Sequence, residues 1–298
     1  MVSSAPPTGR LGVMVDRSLP PEQLIPLAAA CEAAAAVDDV WVVEDLSWGG
    51  AVSAAATVLA ASARLHVGIG IVPAPLRNPA LLAMELATLG RLHPGRLTAG
   101  IGHGVQSWMR EVGAAVPSPL ALLEETFTVV RALLRGDRVT HDGRAVHIDD
   151  LTLVHPLRTP LPLLAGVTGP KSLRLSGRVA DGTILAEGTG PAGIAAARAL
   201  IDEGRDGAVD DHRIVVLAYV LVTDDPAAAA AQTEQARIDV ATPLGVDPAD
   251  IFVLEGSAAD VVAGLRDLWS AGAHTVVVRP IGDPFPQIGA LDAALTGG

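Results

Sequence analysis

Apolar residues along this chain fall into short runs separated by longer stretches with helical spacing. Strand-like runs cover residues 11–15, 40–43, 65–72, 97–101, 161–165, 183–186, 213–222 and 274–278. Between them, helical periodicity covers 20–36, 52–63, 78–92, 120–134, 170–179, 192–203, 227–240, 258–270 and 285–295. Ser118 stands where an N-cap belongs and Gly136 just past the end of the fourth helix, while Pro20, Pro21 and Pro170 are tolerated in first helical turns. The rhythm breaks once. Residues 139–148 alternate around Asp142-Gly143, the signal of a type I′ hairpin, so 137–157 reads as an excursion between the fourth and fifth strands.

The strands are too short and too apolar to have one solvated face, which points to a parallel sheet covered on both sides. Eight strand–helix units over 298 residues suit a single (β/α)8 barrel, an α/β fold of TIM-barrel type. An open dinucleotide-binding sheet would need a glycine-rich turn after the first strand. Here that turn is Val15-Asp16-Arg17-Ser18-Leu19-Pro20, without a glycine.

Composition narrows the range of functions. With 50% apolar residues and only 3% Phe, Trp or Tyr, the core must be built from Ala, Val, Leu and Ile. The net charge of −12 and the lack of any basic run argue against a nucleic-acid partner. No apolar run is long enough to predict a membrane span. Residues 1–9 read as a disordered lead-in rather than a secretory signal, and the lone Cys31 fits a reducing compartment, so a cytoplasmic protein is expected.

In such a barrel the chemistry sits where strands end and helices begin, which selects Asp16, Glu44, Asp45, Pro73, His103, residues 166–169, Glu187 and Arg279. Gly68 and Gly70 alternate in the third strand and could let a flat ligand approach the backbone, or could mark a bulge. The turn Gly166-Val167-Thr168-Gly169-Pro170-Lys171-Ser172 carries the only lysine, and free N–H groups at a helix start can hold a phosphate. Trp48 and Trp108 are loop aromatics that could wall a substrate pocket. The eight histidines form no H-x-H pair and no H-E-x-x-H helix, so no metal site is predicted and a metal-dependent hydrolase is disfavoured.

The run from Arg91 to Gly104 (RLHPGRLTAGIGHG) resembles a segment of the luciferase-like flavin-dependent oxidoreductases, as do 166–172, 177–182 and the Asn78-Pro79 pair. Within that family the likeness leans toward the branch that uses the deazaflavin coenzyme F420. The resemblance implies a non-proline cis peptide at Gly70-Ile71 against the cofactor ring. It places Glu44, His103 and Gly104 near that ring, Thr168, Gly169, Lys171 and Ser172 around the cofactor phosphate, and Gly166 and Val167 also against the cofactor. The sugar-phosphate dehydrogenases of the branch have histidine where this chain has Asp45, glutamate where it has Val105, and a substrate-binding lysine near Thr189. Those departures argue against glucose 6-phosphate as substrate.

The function expected is therefore hydride transfer between F420 and a C=C, C=N or carbonyl group of a small organic molecule. An FMN-dependent monooxygenase is the alternative, and a non-catalytic cofactor-binding barrel is a third reading. A carboxyl of Glu44 or Asp45 could donate the accompanying proton, with His103 or solvent as rivals. If the second strand stays regular, Glu44 and Asp45 point to opposite faces and only one meets the substrate. Family habit and apolar rim residues point to a homodimer.

Overall fold

The computed structural model describes residues 9–205 and 211–297, so the predicted lead-in falls almost wholly outside the described residues. Strands and helices alternate from the start: β1 (Arg10–Met14), α1 (Leu24–Ala33), β2 (Asp39–Val42), α2 (Ala51–Ala61), β3 (His66–Pro73), α3 (Pro79–Leu92) and β4 (Leu97–Gly102). A short α4 (Gln106–Glu111) and a long α5 (Pro119–Arg135) then lead to a hairpin, β5 (Val139–Asp142) and β6 (His147–Leu151). The alternation resumes with β7 (Leu163–Gly166), α6 (Pro170–Val179), β8 (Gly182–Leu185), α7 (Pro191–Gly204), β9 (Arg213–Val222) and α8 (Pro226–Leu244). The chain closes with β10 (Leu254–Gly256), α9 (Ala258–Ser270), β11 (Thr275–Pro280) and α10 (Pro284–Thr296).

Every pairing in the main sheet is parallel, in the order β1-β2-β3-β4-β7-β8-β9-β11 and back to β1, which closes the predicted barrel. The short β10 adds to β9 at Val220–Val222, beyond the stretch of β9 that β8 covers. Side chains alternate along each strand. In β4, Leu97, Ala99 and Ile101 belong to the large core between sheet and helices, whereas Thr98, Gly100 and Gly102 turn inward.

The barrel interior is filled by Met14, Trp41, Leu164, Ile184, Val215, Leu217 and Val277, with Ile71 and Val43 packed on them. Glycines make room for the two bulkiest shapes. A Cβ on Gly68 would lie 2.2 Å from Cδ2 of Trp41, and one on Gly12 would lie 2.9 Å from its Cδ1. Higher up, a Cβ on Gly166 would lie 2.3 Å from Cγ2 of Ile71. Gly68 thus serves the indole of the neighbouring strand rather than a ligand. In a chain so poor in aromatics, one tryptophan against glycines does what a layer of branched side chains usually does.

Helix α5 shows why the amphipathic segments form where they do. Leu122, Leu123, Thr126, Phe127, Val130, Leu133 and Leu134 recur three or four apart and are buried on one stripe. The Ser118 hydroxyl accepts from the Ala121 N–H, and Gly136 ends the helix at φ 88°, as the sequence predicted. The hairpin is present, but its turn is not type I′, because neither Asp142 nor Gly143 adopts a positive φ. Residues 143–146 form a wider loop, held by the Glu125 carboxylate of α5, which accepts from the N–H groups of Arg144, Ala145 and Val146 at 2.9, 2.9 and 2.8 Å. This tertiary anchor replaces the local turn chemistry that Asp-Gly suggested. Among the described residues, no helix is long and apolar enough to cross a membrane.

Candidate active site

A cavity of about 630 Å³ opens at the C-terminal ends of the barrel strands. It brings together most of the residues selected from the sequence: Glu44, Asp45, Gly70, Ile71, His103, Gly104, Trp108, Gly166, Val167 and Thr168. Ile71, Ile184 and Leu217 give it an apolar floor, and Glu187 stands on its rim. The Gly70-Ile71 peptide is cis, as the resemblance implied.

His103 follows directly on β4, and its Nε2 lies 2.9 Å from the Ser172 hydroxyl in the first turn of α6. That contact ties the fourth strand end to the helix that follows the seventh strand. Burial pushes the imidazole below its ordinary pKa, against a smaller opposing pull from the Pro119 backbone carbonyl. Its Nδ1 is buried and has no partner in good hydrogen-bond geometry. The ring is therefore neutral at physiological pH. Gly104 beside it has φ 67°, and a Cβ there would meet Pro73 at 2.9 Å, so both conformation and space require glycine.

The two carboxylates lie in different settings. Strand β2 ends at Val42, so the alternation expected for Glu44 and Asp45 does not apply, and both line the cavity. Glu44 is fully committed. It takes two hydrogen bonds from Arg77, at 3.1 and 2.7 Å, and its Oε2 also accepts from the Ala51 N–H at the start of α2, at 3.0 Å. Arg77 is held on its other side by Glu85 at 2.9 Å. Asp45 meets Arg17 at 3.2 Å, and Arg17 in turn lies 5.6 Å over the Trp48 ring.

Trp48 does not reach the main cavity; it lines a neighbouring hollow of about 220 Å³ with Arg17 and Leu19. Gly169, Lys171 and Ser172 also lie outside the lining, but α6 begins only two residues beyond Thr168. Gly169 is its N-cap, and no side chain caps the helix start, as is also true of α1, α2, α4 and α7, whereas Asn78, Ser118, Asp225, Ser257 and Asp283 cap the others. Backbone N–H groups of the first turn are thus left without a side-chain acceptor. Lys171 extends from this turn into solvent.

On the far side of the mouth, Arg279 at the end of β11 bonds Asp16 at 2.7 Å and Glu187 at 3.0 Å and lies 4.8 Å over the Tyr219 ring. The sequence marked Asp16, Glu187 and Arg279 as strand-end residues but gave no sign that they pair. It also missed Gln106, whose side-chain amide donates to the carbonyls of His103 and Gly104 at 3.3 Å each, because α4 is too short for a periodic signal. The role of Arg77 had one visible cue, a lone cation between an apolar strand and the Asn78-Pro79 helix start. Among the described residues, no group of three or more His, Cys, Asp or Glu side chains could hold a metal ion.

Barrel, cavity and cis peptide together describe one known class. The family model for luciferase-like monooxygenases matches residues 5–275, and the chain belongs to that family. It is 30% identical over 234 residues to the 5,10-methylenetetrahydromethanopterin reductase of Methanolobus tindarius, covering 74% of this chain and 71% of that protein. It is 33% identical over 150 residues to the F420-dependent glucose-6-phosphate dehydrogenase of Nakamurella multipartita, a match covering 49% of this chain and less than half, 42%, of that relative. An F420-dependent secondary alcohol dehydrogenase, solved with an F420–acetone adduct, superposes with a TM-score of 0.85 over 96% of this chain and 98% of its own, at 19% identity. That last likeness speaks for the fold.

Proposed function

We propose that this chain is a coenzyme F420-dependent oxidoreductase that moves a hydride between the deazaflavin and a C=C, C=N or carbonyl group of a small organic substrate. The observation that carries this reading is the meeting of an uncapped helix start and a neutral, half-buried histidine at one apolar-floored cavity. The residues present fit the cofactor. Ile71, Ile184 and Leu217 offer a flat apolar surface to the ring, with Gly70, Glu44, His103 and Gly104 around it. Gly166, Val167 and Thr168 lead to the N–H groups of α6, where Gly169, Lys171 and Ser172 would hold the phosphate. Bound there, the deazaflavin supplies hydride chemistry without activating oxygen. The name of the Nakamurella multipartita relative supports the same cofactor.

The protein then has to orient the substrate and handle one proton. Glu44 is poorly placed for proton transfer, since both of its oxygens are occupied by Arg77 and the Ala51 N–H. Its role is to fix the loop after β2 under the cavity. His103 is the better proton carrier, by way of the Ser172 hydroxyl bonded to its Nε2, since Nδ1 is buried: the neutral ring takes up a proton from an alcohol being oxidised through that hydroxyl, and the imidazolium returns it by the same route in the reverse direction. Ser172 orients it through Nε2. Asp45, with one oxygen on Arg17, is the second candidate. Trp108 and Val105 form the substrate wall, and Trp48 would touch only a substrate that extends past Asp45.

The cations at the mouth are already matched: Arg17 with Asp45, Arg77 with Glu44 and Glu85, Arg279 with Asp16 and Glu187. Thr189, which bonds the Ala186 carbonyl, adds no charge. This favours an uncharged substrate over a sugar phosphate. The proposal extends to a homodimer in the cytoplasm, supported by exposed Leu81, Met84 and Leu92 along α3 and by the buried free thiol of Cys31.

The test is anaerobic turnover of reduced F420 against a panel of ketones, enones and imines, followed by cofactor absorbance. Oxidation of F420 that depends on one substrate class supports the proposal. In a parallel aerobic assay, turnover that requires reduced FMN and consumes oxygen would instead identify a monooxygenase, and binding without turnover across the panel would favour a cofactor carrier.

A further inference from the structure

We propose that the opposite, N-terminal mouth of the barrel is a second binding site, one for a small oxyanion, a phosphate or a carboxylate. The inference is independent of the cofactor reading. A cavity of about 880 Å³ lies there, and three guanidinium groups, Arg10, Arg198 and Arg213, line it against a single carboxylate, Asp39. This local excess of positive charge runs against the net charge of −12 of the whole chain.

The carboxylate is already neutralised. Asp39 is 2% exposed, takes two hydrogen bonds from Arg10, at 3.0 and 2.9 Å, and has His66 Nδ1 at 3.1 Å. Burial alone would raise its pKa, yet the contacts with His66 and Arg10 hold it below the usual carboxylate range. Arg198 spends one N–H on the His212 carbonyl at 3.1 Å. Arg213, the first residue of β9, is exposed; its backbone N–H donates to the Asp181 carbonyl at 3.1 Å, but its guanidinium makes no hydrogen bond or ion pair with any described residue. Three guanidiniums therefore keep unused donors around the same space.

A second observation points to a ligand. Trp41 forms part of the cavity lining, is 2% exposed, and its indole N–H is buried without an acceptor. A donor in that condition costs stability unless something accepts from it. Neither histidine at the mouth supplies the acceptor: His66 is engaged by Asp39 and Thr98, while His274 receives the Ile214 N–H at Nδ1 and faces Asp211 with Nε2. An oxyanion accepts from the indole and from the arginines at once, which a cation or a neutral apolar molecule would not do.

The experiment is a titration of the full-length protein, carrying ¹⁵N-labelled tryptophan, with inorganic phosphate and separately with citrate, at ionic strength held constant by chloride. The four tryptophans give four indole N–H signals, and loss of one in Trp41→Phe assigns that of Trp41. The expected result is a saturable shift of the Trp41 signal, with no movement of the Trp108 signal at the other mouth. In Arg213→Ala, the same shift should require at least ~10-fold more ligand. Arg213 is exposed, so this variant keeps its fold, which far-UV circular dichroism verifies. Tighter binding of phosphate would identify the free anion as the ligand type, and tighter binding of citrate an organic acid. No saturable shift with either, or a titration unchanged in Arg213→Ala, overturns the site.

Discussion

Replacing Gly68 with alanine would put a methyl group where the Trp41 indole now lies. The added Cβ would sit 2.2, 2.3 and 2.5 Å from Cδ2, Cε2 and Cε3 of that ring, well inside any van der Waals contact. Moving the ring clear would break its packing among Met14, Leu164 and Val215, where it is 2% exposed. Overpacking of a core commonly costs about 1–3 kcal/mol, and a contact near 2.2 Å with a rigid ring belongs at the top of that range. Gly68→Ala should therefore lose about 3 kcal/mol in urea unfolding followed by circular dichroism. Trp41→Leu alone should lose a similar ~3–4 kcal/mol through the cavity it leaves. In the double variant the methyl occupies part of that cavity, so the combined loss should fall short of the sum by more than ~1 kcal/mol. Additive losses, or a Gly68→Ala variant as stable as wild type, would refute the view that this glycine exists to seat the indole.

Other outcomes follow from the same contacts. His212, 2% exposed and bonded through Nε2 to Thr183 at 2.8 Å, has its pKa pushed down to about 4, by burial first and then by Arg205 and Arg198. Between about pH 6.5 and pH 4 the unfolded chain therefore takes up a proton that the folded one refuses, so stability falls as pH falls, by about 3 kcal/mol over that window. Urea unfolding at several pH values measures this slope, and Thr183 variants should leave it in place while His212→Gln removes it. Arg77→Ala strips the mostly buried Glu44 of its partner, and should cost about 3 kcal/mol in the same assay while also weakening cofactor binding. His103→Ala should lower kcat/KM by about 10²–10⁴, and in the oxidative direction the wild-type acidic limb should lie below the ordinary imidazole pKa and vanish in the variant. A limb unchanged in His103→Ala would transfer the proton role to Asp45.

The barrel was legible because strand–helix alternation is a periodic signal spread over the whole chain, and helix α5 shows it at its strongest, with both caps predicted. Short elements carried no such signal: β10 has three residues and α4 has six, and both were missed. The hairpin turn was misread because Asp142-Gly143 is a local cue, whereas the loop is shaped by Glu125 from a distant helix. At the site, position along the fold was readable and pairing was not. Glu44 and His103 are both strand-end groups in the sequence, but that Arg77 and Ala51 occupy the first and that burial governs the second follows from tertiary contacts that no spacing encodes. The alternating glycines of β3 were visible, but the partner they accommodate sits on the adjacent strand, a relation that sequence spacing does not contain.

The central claim is that the cavity at the C-terminal mouth holds a deazaflavin with its phosphate on the first turn of α6. Equilibrium fluorescence titration of the purified protein with F420 and with FMN tests it most directly, using Ser172→Ala alongside wild type. The account predicts tight binding of F420, much weaker binding of FMN, and a loss of F420 affinity in the variant. Preference for FMN, or no binding of either cofactor, would contradict it.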